Sequence, residues 1–195
     1  AIQASRSYRL TQKIKNKLIP VGSRRRNLAK KMFRAVRPVK QEKREKTAVE
    51  KIAARKSFDV LYLPERKDVQ VSIIIPVYNQ FAYTYHCIES ILKNTRNISY
   101  EVIVADDVSS DKTQKIEKYI KNIKVIRNEE NLGFLRNCNH AAKEAAGEYI
   151  LFLNNDTQVC TNWLQPLVDL AEKDQQIGIV GSKLIGADGK LQEAG

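Results

Sequence analysis

From residue 69 onward the apolar positions change period in a regular alternation. Residues 69–78 (VQVSIIIPVY) form an almost unbroken β-branched run, which predicts a central parallel strand buried on both faces. Pro76 marks its end, because proline cannot continue a central ladder. Over 83–94 the apolar residues Tyr85, Ile88, Ile91 and Leu92 fall at helical spacing. The same alternation predicts a strand at 101–105, a loop at 106–111 and a helix at 112–121. A strand at 124–127 and a polar turn at 128–133 follow. A helix at 134–146 closes on Gly147, the residue type favoured just past a helix C-terminus. Then come a strand at 148–153, an amphipathic helix at 162–173 through Trp163, Leu167, Leu170 and Ala171, and a last strand at 177–184. Asp188-Gly189 reads as a hairpin turn.

Strands alternating with helices of this length mean βαβ units, a mostly parallel sheet and right-handed crossovers. The stretch at 150–157 (ILFLNNDT) stands out within that order. Four apolar residues are followed at once by Asn154, Asn155 and Asp156. The pattern predicts a buried strand whose carboxyl end opens into a polar loop, the side on which such sheets bind ligands.

Residues 1–56 differ. Weak helical periodicity links Tyr8, Ile14 and Leu18, and again Leu28, Met32 and Val36, with breaks at Pro20-Val21-Gly22 and Pro38. The charge divides at the same place. Of the 34 Lys and Arg, 19 lie in residues 1–56 against three Glu, while the remainder holds 15 against 19 acidic residues. The boundary is expected near Ser57, separating a basic helical segment from the α/β domain. That segment serves either as a linker or as a peripheral contact with an anionic membrane surface. It carries no nucleic-acid-binding motif, and nucleic acid is not expected as a partner.

The chain does not begin with Met and stops on Gln192–Gly195 without a terminating feature, so it is expected to be a fragment. No apolar run approaches the roughly 20 residues a membrane helix needs, and no signal peptide is visible. Cys87, Cys138 and Cys160 are an odd, widely spaced set without metal-ligand spacing, which fits buried thiols in a reducing compartment. The expected location is cytoplasmic, at the inner face of the plasma membrane where the basic segment makes contact.

Three predicted strand ends point polar groups at one edge of the sheet: Pro76-Val77-Tyr78-Asn79, Asp106-Asp107 and Asn154-Asn155-Asp156. Tyr78 offers a flat face for a base. An Asp at the second strand end can accept hydrogen bonds from a base N–H or ribose hydroxyls. Asp156 can hold Mn²⁺ or Mg²⁺ bridging two phosphates, where the metal neutralises charge on a leaving diphosphate. No G-x-G-x-x-G follows the first strand and no GK[ST] occurs, which disfavours dinucleotide-dependent oxidoreductases and P-loop NTPases.

Beyond this, VSIIIPVYN, EVIVADDVSSD, NEENLGFLRNCNHAAKEAAGEYILFLNNDTQV, NWLQPLV and GSKLIGADGKLQEAG resemble family-2 glycosyltransferases of the GT-A fold. The likeness runs from Val69 to Gly195 and is nearest to bacterial members that build surface polysaccharides. The resemblance implies a Rossmann-like, mostly parallel sheet flanked by helices. It implies a nucleoside-diphosphate sugar of UDP or dTDP type as donor, a glycan or lipid-linked acceptor, and inversion at the anomeric carbon. Pro76 and Tyr78 would flank the base, with Asn79 beside them. Asp107 would read the base and Asp106 would support its loop. Gly133 and Asn139 would line the nucleotide pocket. Asn154-Asn155-Asp156 stands where the family carries D-x-D, so Asp156, with Asn154, would hold the metal and Asn155 would lie near the ribose. Asn154 replaces one carboxylate, which weakens the metal set. The general base would come from the acceptor half, after Gly195.

Two other readings use the same residues. A nucleotidyltransferase shares the sheet, metal and nucleotide, but residues 79–82 lack its expected glycine-rich loop. A non-catalytic nucleotide-binding fragment needs no acceptor half. Among the remaining residues, His86 and His140 read as packing or surface groups, and Cys138 and Cys160 as small buried side chains. Asp111 reads as a helix N-cap, and Arg136 suits a phosphate and a solvated helix face equally.

Overall fold

The computed structural model describes residues 48–194 except 66, 175, 187 and 188. The expected helices through Tyr8–Leu18 and Leu28–Val36 lie outside the described residues, as does most of the segment assigned to membrane contact. In chain order the elements are α1 (Ala48–Ala53), β1 (Leu61–Tyr62), β2 (Val71–Val77), α2 (Phe81–Asn94) and β3 (Tyr100–Asp106). A 3-10 helix (Lys112–Lys118), β4 (Ile120–Lys121), β5 (Lys124–Arg127), α3 (Gly133–Ala142) and β6 (Tyr149–Phe152) follow. The last are α4 (Gln165–Lys173), β7 (Lys183–Ile185) and β8 (Leu191–Ala194).

The main sheet has the order β5-β3-β2-β6, with every pairing parallel. The α/β class and the parallel sheet expected from the sequence are therefore present. Alternation along β2 explains its continuous apolar run. Ile73, Ile75 and Val77 pack with Tyr85, Ile88 and Ile91 of α2, whereas Ile74 packs with Ala141 of α3 on the other face. A strand covered on both sides has no solvent face to mark with polar residues.

Five expectations need correction. The helix after Gly133 ends at Ala142, so Gly147 does not cap it. Gly147 instead crosses β2: a Cβ there would stand 2.5 Å from the Ser72 backbone nitrogen. The segment after Asp111 is a 3-10 helix with a non-helical Lys115, not an α-helix to residue 121. Of the last predicted strand only residues 183 and 184 are strand, within β7, which pairs antiparallel with β8 in a hairpin that turns through Gly189 at φ +78°. Finally, β6 is not buried. It ends the sheet among the described residues, and Ile150 and Phe152 are 46% and 49% exposed. Tyr149 and Leu151 pack on the α2 side, while the alternate face stays open. The open face borders a cleft of about 610 Å³ that Phe134, Asn154, Trp163 and Glu193 also line. Cys160 is likewise exposed, against expectation, while Cys87 and Cys138 are buried.

The approach to the sheet is fixed by Arg55. Its guanidinium bonds Glu89 through two nitrogens at 2.8 and 3.2 Å and lies 4.7 Å from the Tyr85 ring centre. Tyr85 donates its hydroxyl to the Asp59 carbonyl at 2.8 Å. Arg55 lies on the basic side of the boundary drawn near Ser57, yet its partners belong to α2.

Candidate active site

The strand order reverses direction between β2 and β6, since the chain builds outward through β3 and β5 and then returns to the other side of β2. Open α/β sheets form their ligand crevice at such a reversal, beyond the carboxyl ends of the strands. The residues emerging there are Tyr78 and Asn79 after β2 and Asn154, Asn155 and Asp156 after β6. Asp106 and Asp107 end the neighbouring β3.

Tyr78 is 59% exposed, so its ring is open at this edge. Pro76, one residue before the end of β2, is half-buried. Asn79 takes the left-handed conformation at φ 60° that Asn tolerates. Its side-chain carbonyl accepts the N–H groups of Ser110 at 2.7 Å and Asp111 at 3.3 Å, and its own N–H donates to Ser109 Oγ at 2.7 Å. Asn79 thus binds the β2 end to the β3 loop. Asp111 closes the same junction: one carboxylate oxygen accepts Phe81 N–H and the other Thr113 N–H, each at 2.9 Å. Burial works to raise the Asp111 pKa, and these bonds outweigh it, leaving the group below its ordinary range. The expected N-cap therefore caps two helices.

Asp106 is buried and bonded within its own loop. Its carboxylate accepts Ser109 N–H at 2.9 Å and faces Arg127 Nε at 3.5 Å, its register partner on β5. Arg127 is held in turn by a bidentate pair with Glu117 at 2.7 and 2.8 Å. The hydrogen bonds from Arg127 hold Glu117 below the usual carboxylate range.

Asp107, 4% exposed, has a task the sequence did not reveal. Oδ1 accepts Leu132 N–H and Asn128 Nδ2, both at 2.8 Å, and Oδ2 accepts Gly133 N–H at 2.9 Å. The carboxylate caps the N-terminus of α3, where partial positive charge favours it. A carboxylate has about four acceptor positions, so three are engaged and one remains. Gly133, exposed, sits at φ +72°, a left-handed conformation that favours glycine. Val108, beside Asp107, adopts φ 65° although β-branched, a strained conformation at the ligand edge.

The β6 loop is arranged differently. Asn155 is half-buried and donates Nδ2 to Thr84 Oγ1 of α2 at 3.1 Å. The Asn154 carbonyl accepts Thr157 N–H at 3.2 Å and the Cys87 thiol at 3.7 Å. Burial, with the Asp156 charge as a smaller contribution, pushes that thiol up to about 12, so Cys87 is neutral packing. Asp156 is exposed, and among the described residues no three His, Cys, Asp or Glu gather as a metal set. A single open carboxylate still suits Mg²⁺ or Mn²⁺, which keep waters and take substrate phosphates as further ligands. Asn139 is exposed on α3 and is not joined to the other groups.

Three junctions are thus fixed by hydrogen bonds: β2 to the β3 loop, the β3 loop to α3, and the β6 loop to α2. Asn79, Asp106, Asp107, Gly133 and Asn155 belong to them. Ser109, Asn128, Asn137, Thr84 and Cys87 complete them and were not anticipated. Asn137, for example, donates to the Ala105 carbonyl and accepts from Asn128. Only the N-E-E-N-L-G and R-N-C-N clusters themselves hinted at such a network.

An open α/β sheet with acidic and aromatic residues at its reversal point has the architecture of a ligand-binding α/β domain. The profile of glycosyl transferase family 2 matches residues 72–192, and the chain belongs to that family. An uncharacterized glycosyltransferase of Haemophilus influenzae is 34% identical over 118 residues, covering 58% of this chain and 36% of its own length. The O-antigen biosynthesis protein RfbC of Myxococcus xanthus is 32% identical over 136 residues, 68% of this chain and 11% of that protein. The crystal structure of S. aureus TarS 1-349 aligns with a TM-score of 0.48 at 30% identity, covering 54% of this chain and 33% of that one. The chain thus spans about a third of the length of the Haemophilus relative and of TarS 1-349, and about a tenth of RfbC.

Proposed function

We propose that this chain is the donor-binding part of an inverting enzyme that moves a sugar from a UDP- or dTDP-sugar to a glycan or lipid-linked acceptor. The family supplies the reaction class. The relative named for O-antigen biosynthesis supports a role in cell-surface polysaccharide synthesis. One observation carries the donor reading: the open Tyr78 ring, the remaining acceptor position of Asp107 and the open Asp156 carboxylate all border the sheet's reversal point.

In this reading Tyr78 stacks on the base while Asp107 accepts its N–H. Asn155 lies near the ribose, and Gly133 and Asn139 line the nucleotide pocket. Asp156, assisted by Asn154, would hold Mn²⁺ or Mg²⁺, which would supply charge neutralisation for the leaving diphosphate. The chain's own residues bind and orient the donor. No described residue is assigned as general base. Residues 1–56 make a peripheral contact with the anionic inner face of the plasma membrane, and no described helix is long and apolar enough to cross it. A nucleotidyltransferase reading gains no observation of its own.

A thermal-shift panel of nucleoside-diphosphate sugars with Mn²⁺ tests this. A ligand at 100 times its Kd adds about 2.7 kcal/mol of stability. If no UDP or dTDP derivative raises Tm, the donor-site reading is lost.

A further inference from the structure

Along one face of α2 runs a polar stripe: Thr84, Cys87, Ser90 and Asn94, at helical spacing. The first three are buried, where a polar atom costs stability unless it is bonded. Every member reaches the irregular segment that follows β6. Asn94 donates Nδ2 to the Val159 carbonyl at 3.0 Å and accepts Thr161 Oγ1 at 3.3 Å. Ser90 accepts Val159 N–H at 3.1 Å, and the Cys87 thiol donates to the Asn154 carbonyl. Thr95, just beyond, accepts Trp163 Nε1 at 2.9 Å. The segment is laid onto the helix residue by residue.

For Cys87, Ser90 and Asn94 a purely structural explanation suffices, because a segment without a ladder has backbone groups to satisfy. Thr84 is different. In that segment it bonds the Asn155 side chain and no backbone group. In this bond Asn155 Nδ2 donates and Thr84 Oγ1 accepts, while the Thr84 hydroxyl makes a long contact of 3.4 Å to the Gln80 carbonyl. With its amide nitrogen turned inward to Thr84, Asn155 has its carbonyl oxygen left as the acceptor for a ligand hydroxyl.

We infer that Thr84 is a positioning residue for the donor site: through the Gln80–Thr84–Asn155 relay it holds the Asn155 carbonyl oxygen toward the ribose of a bound nucleotide. This rests on the donor-site reading of the β6 loop.

The test is a titration of UDP and dTDP with Mn²⁺ into the chain and into Thr84→Val, Thr84→Ser and Asn94→Ala. Thr84→Val keeps the volume and removes the hydroxyl. It should weaken nucleotide binding roughly three- to tenfold, the upper figure being about 1.4 kcal/mol. Thr84→Ser, which restores the hydroxyl, should recover the parent affinity. Asn94→Ala loosens the far end of the stripe and should lower Tm without changing affinity. Equal affinity in Thr84→Val and the parent overturns the inference, as does a Thr84→Ser that binds weakly despite a parent-like Tm. If Thr84→Val fails to fold, Asn155→Ala takes its place: it removes the same bond from the loop side, and parent-like affinity there overturns the inference. A parent that binds neither nucleotide removes the donor-site reading and this inference together, and is told apart by that first titration.

Discussion

The Asp107 carboxylate accepts the backbone N–H of Gly133 at 2.9 Å across 26 residues of sequence. With the bonds from Leu132 and Asn128, this joins the end of β3 to the start of α3. The A-D-D and N-L-G motifs are therefore two halves of one junction, and the residue expected to read the base is also a helix cap. Hydrogen bonds to a charged group contribute about 1.5–3 kcal/mol each, so Asp107 cannot be removed silently.

Asp107→Ala should lower stability by about 2–3 kcal/mol through the loss of this cap and should also abolish nucleotide binding. Urea unfolding and calorimetry check the two effects separately. Parent-like stability would mean that the carboxylate does not hold α3.

Val108 at φ 65° stores backbone strain, since a left-handed non-glycine residue costs roughly 1–2 kcal/mol. Val108→Gly returns part of this as unfolded-state entropy. The expected net gain is about 0.5–1 kcal/mol, or a rise in Tm of roughly 2–4 °C at the upper figure for a chain of this size. A lower Tm in differential scanning calorimetry contradicts it.

Gly147→Ala is expected to be costly. Its Cβ would meet the Ser72 backbone nitrogen at 2.5 Å and Ser72 Oγ at 2.9 Å, and backbone in a central strand cannot swing aside. Overpacking of this kind costs about 1–3 kcal/mol. An unchanged urea midpoint would show that β2 gives way there.

The Arg55–Glu89 pair predicts an acid-dependent contribution. The Arg55 hydrogen bond is the main cause holding Glu89 below its ordinary range. The stabilisation is complete above the unfolded value of about 4.3 and disappears as pH falls through the lower folded value. The pair is partly exposed, so about 1 kcal/mol is expected. The stability difference between the parent and Glu89→Gln should be present at pH 7 and close toward pH 3. A pH-independent difference would point to packing alone.

The sequence made β2 and β3 legible because two-sided burial writes itself as a nearly continuous apolar run. It misled at β6, where an equally apolar run is half-buried on one face and exposed on the other: composition does not say whether Ile150 and Phe152 are covered. Asp111 was readable as a cap because Thr113 is two residues away. Its second bond, to Phe81, spans 30 residues and leaves no local trace. The same holds for Asn79 with Ser110 and for Thr84 with Asn155. The polar residues at the strand ends were visible as candidates, but their partnerships are long-range and only the fold defines them.

The central claim is that the carboxyl edge between β2 and β6 binds a nucleoside diphosphate through Asp156 and a divalent cation. Calorimetric titration of UDP and dTDP into the chain, with Mn²⁺ and with a chelator, tests it most directly when repeated on Asp156→Ala. The account predicts saturable binding that weakens at least tenfold on chelation, and a variant whose weaker binding no longer responds to Mn²⁺. Affinity that is the same with and without Mn²⁺, and the same in Asp156→Ala as in the parent, would contradict it.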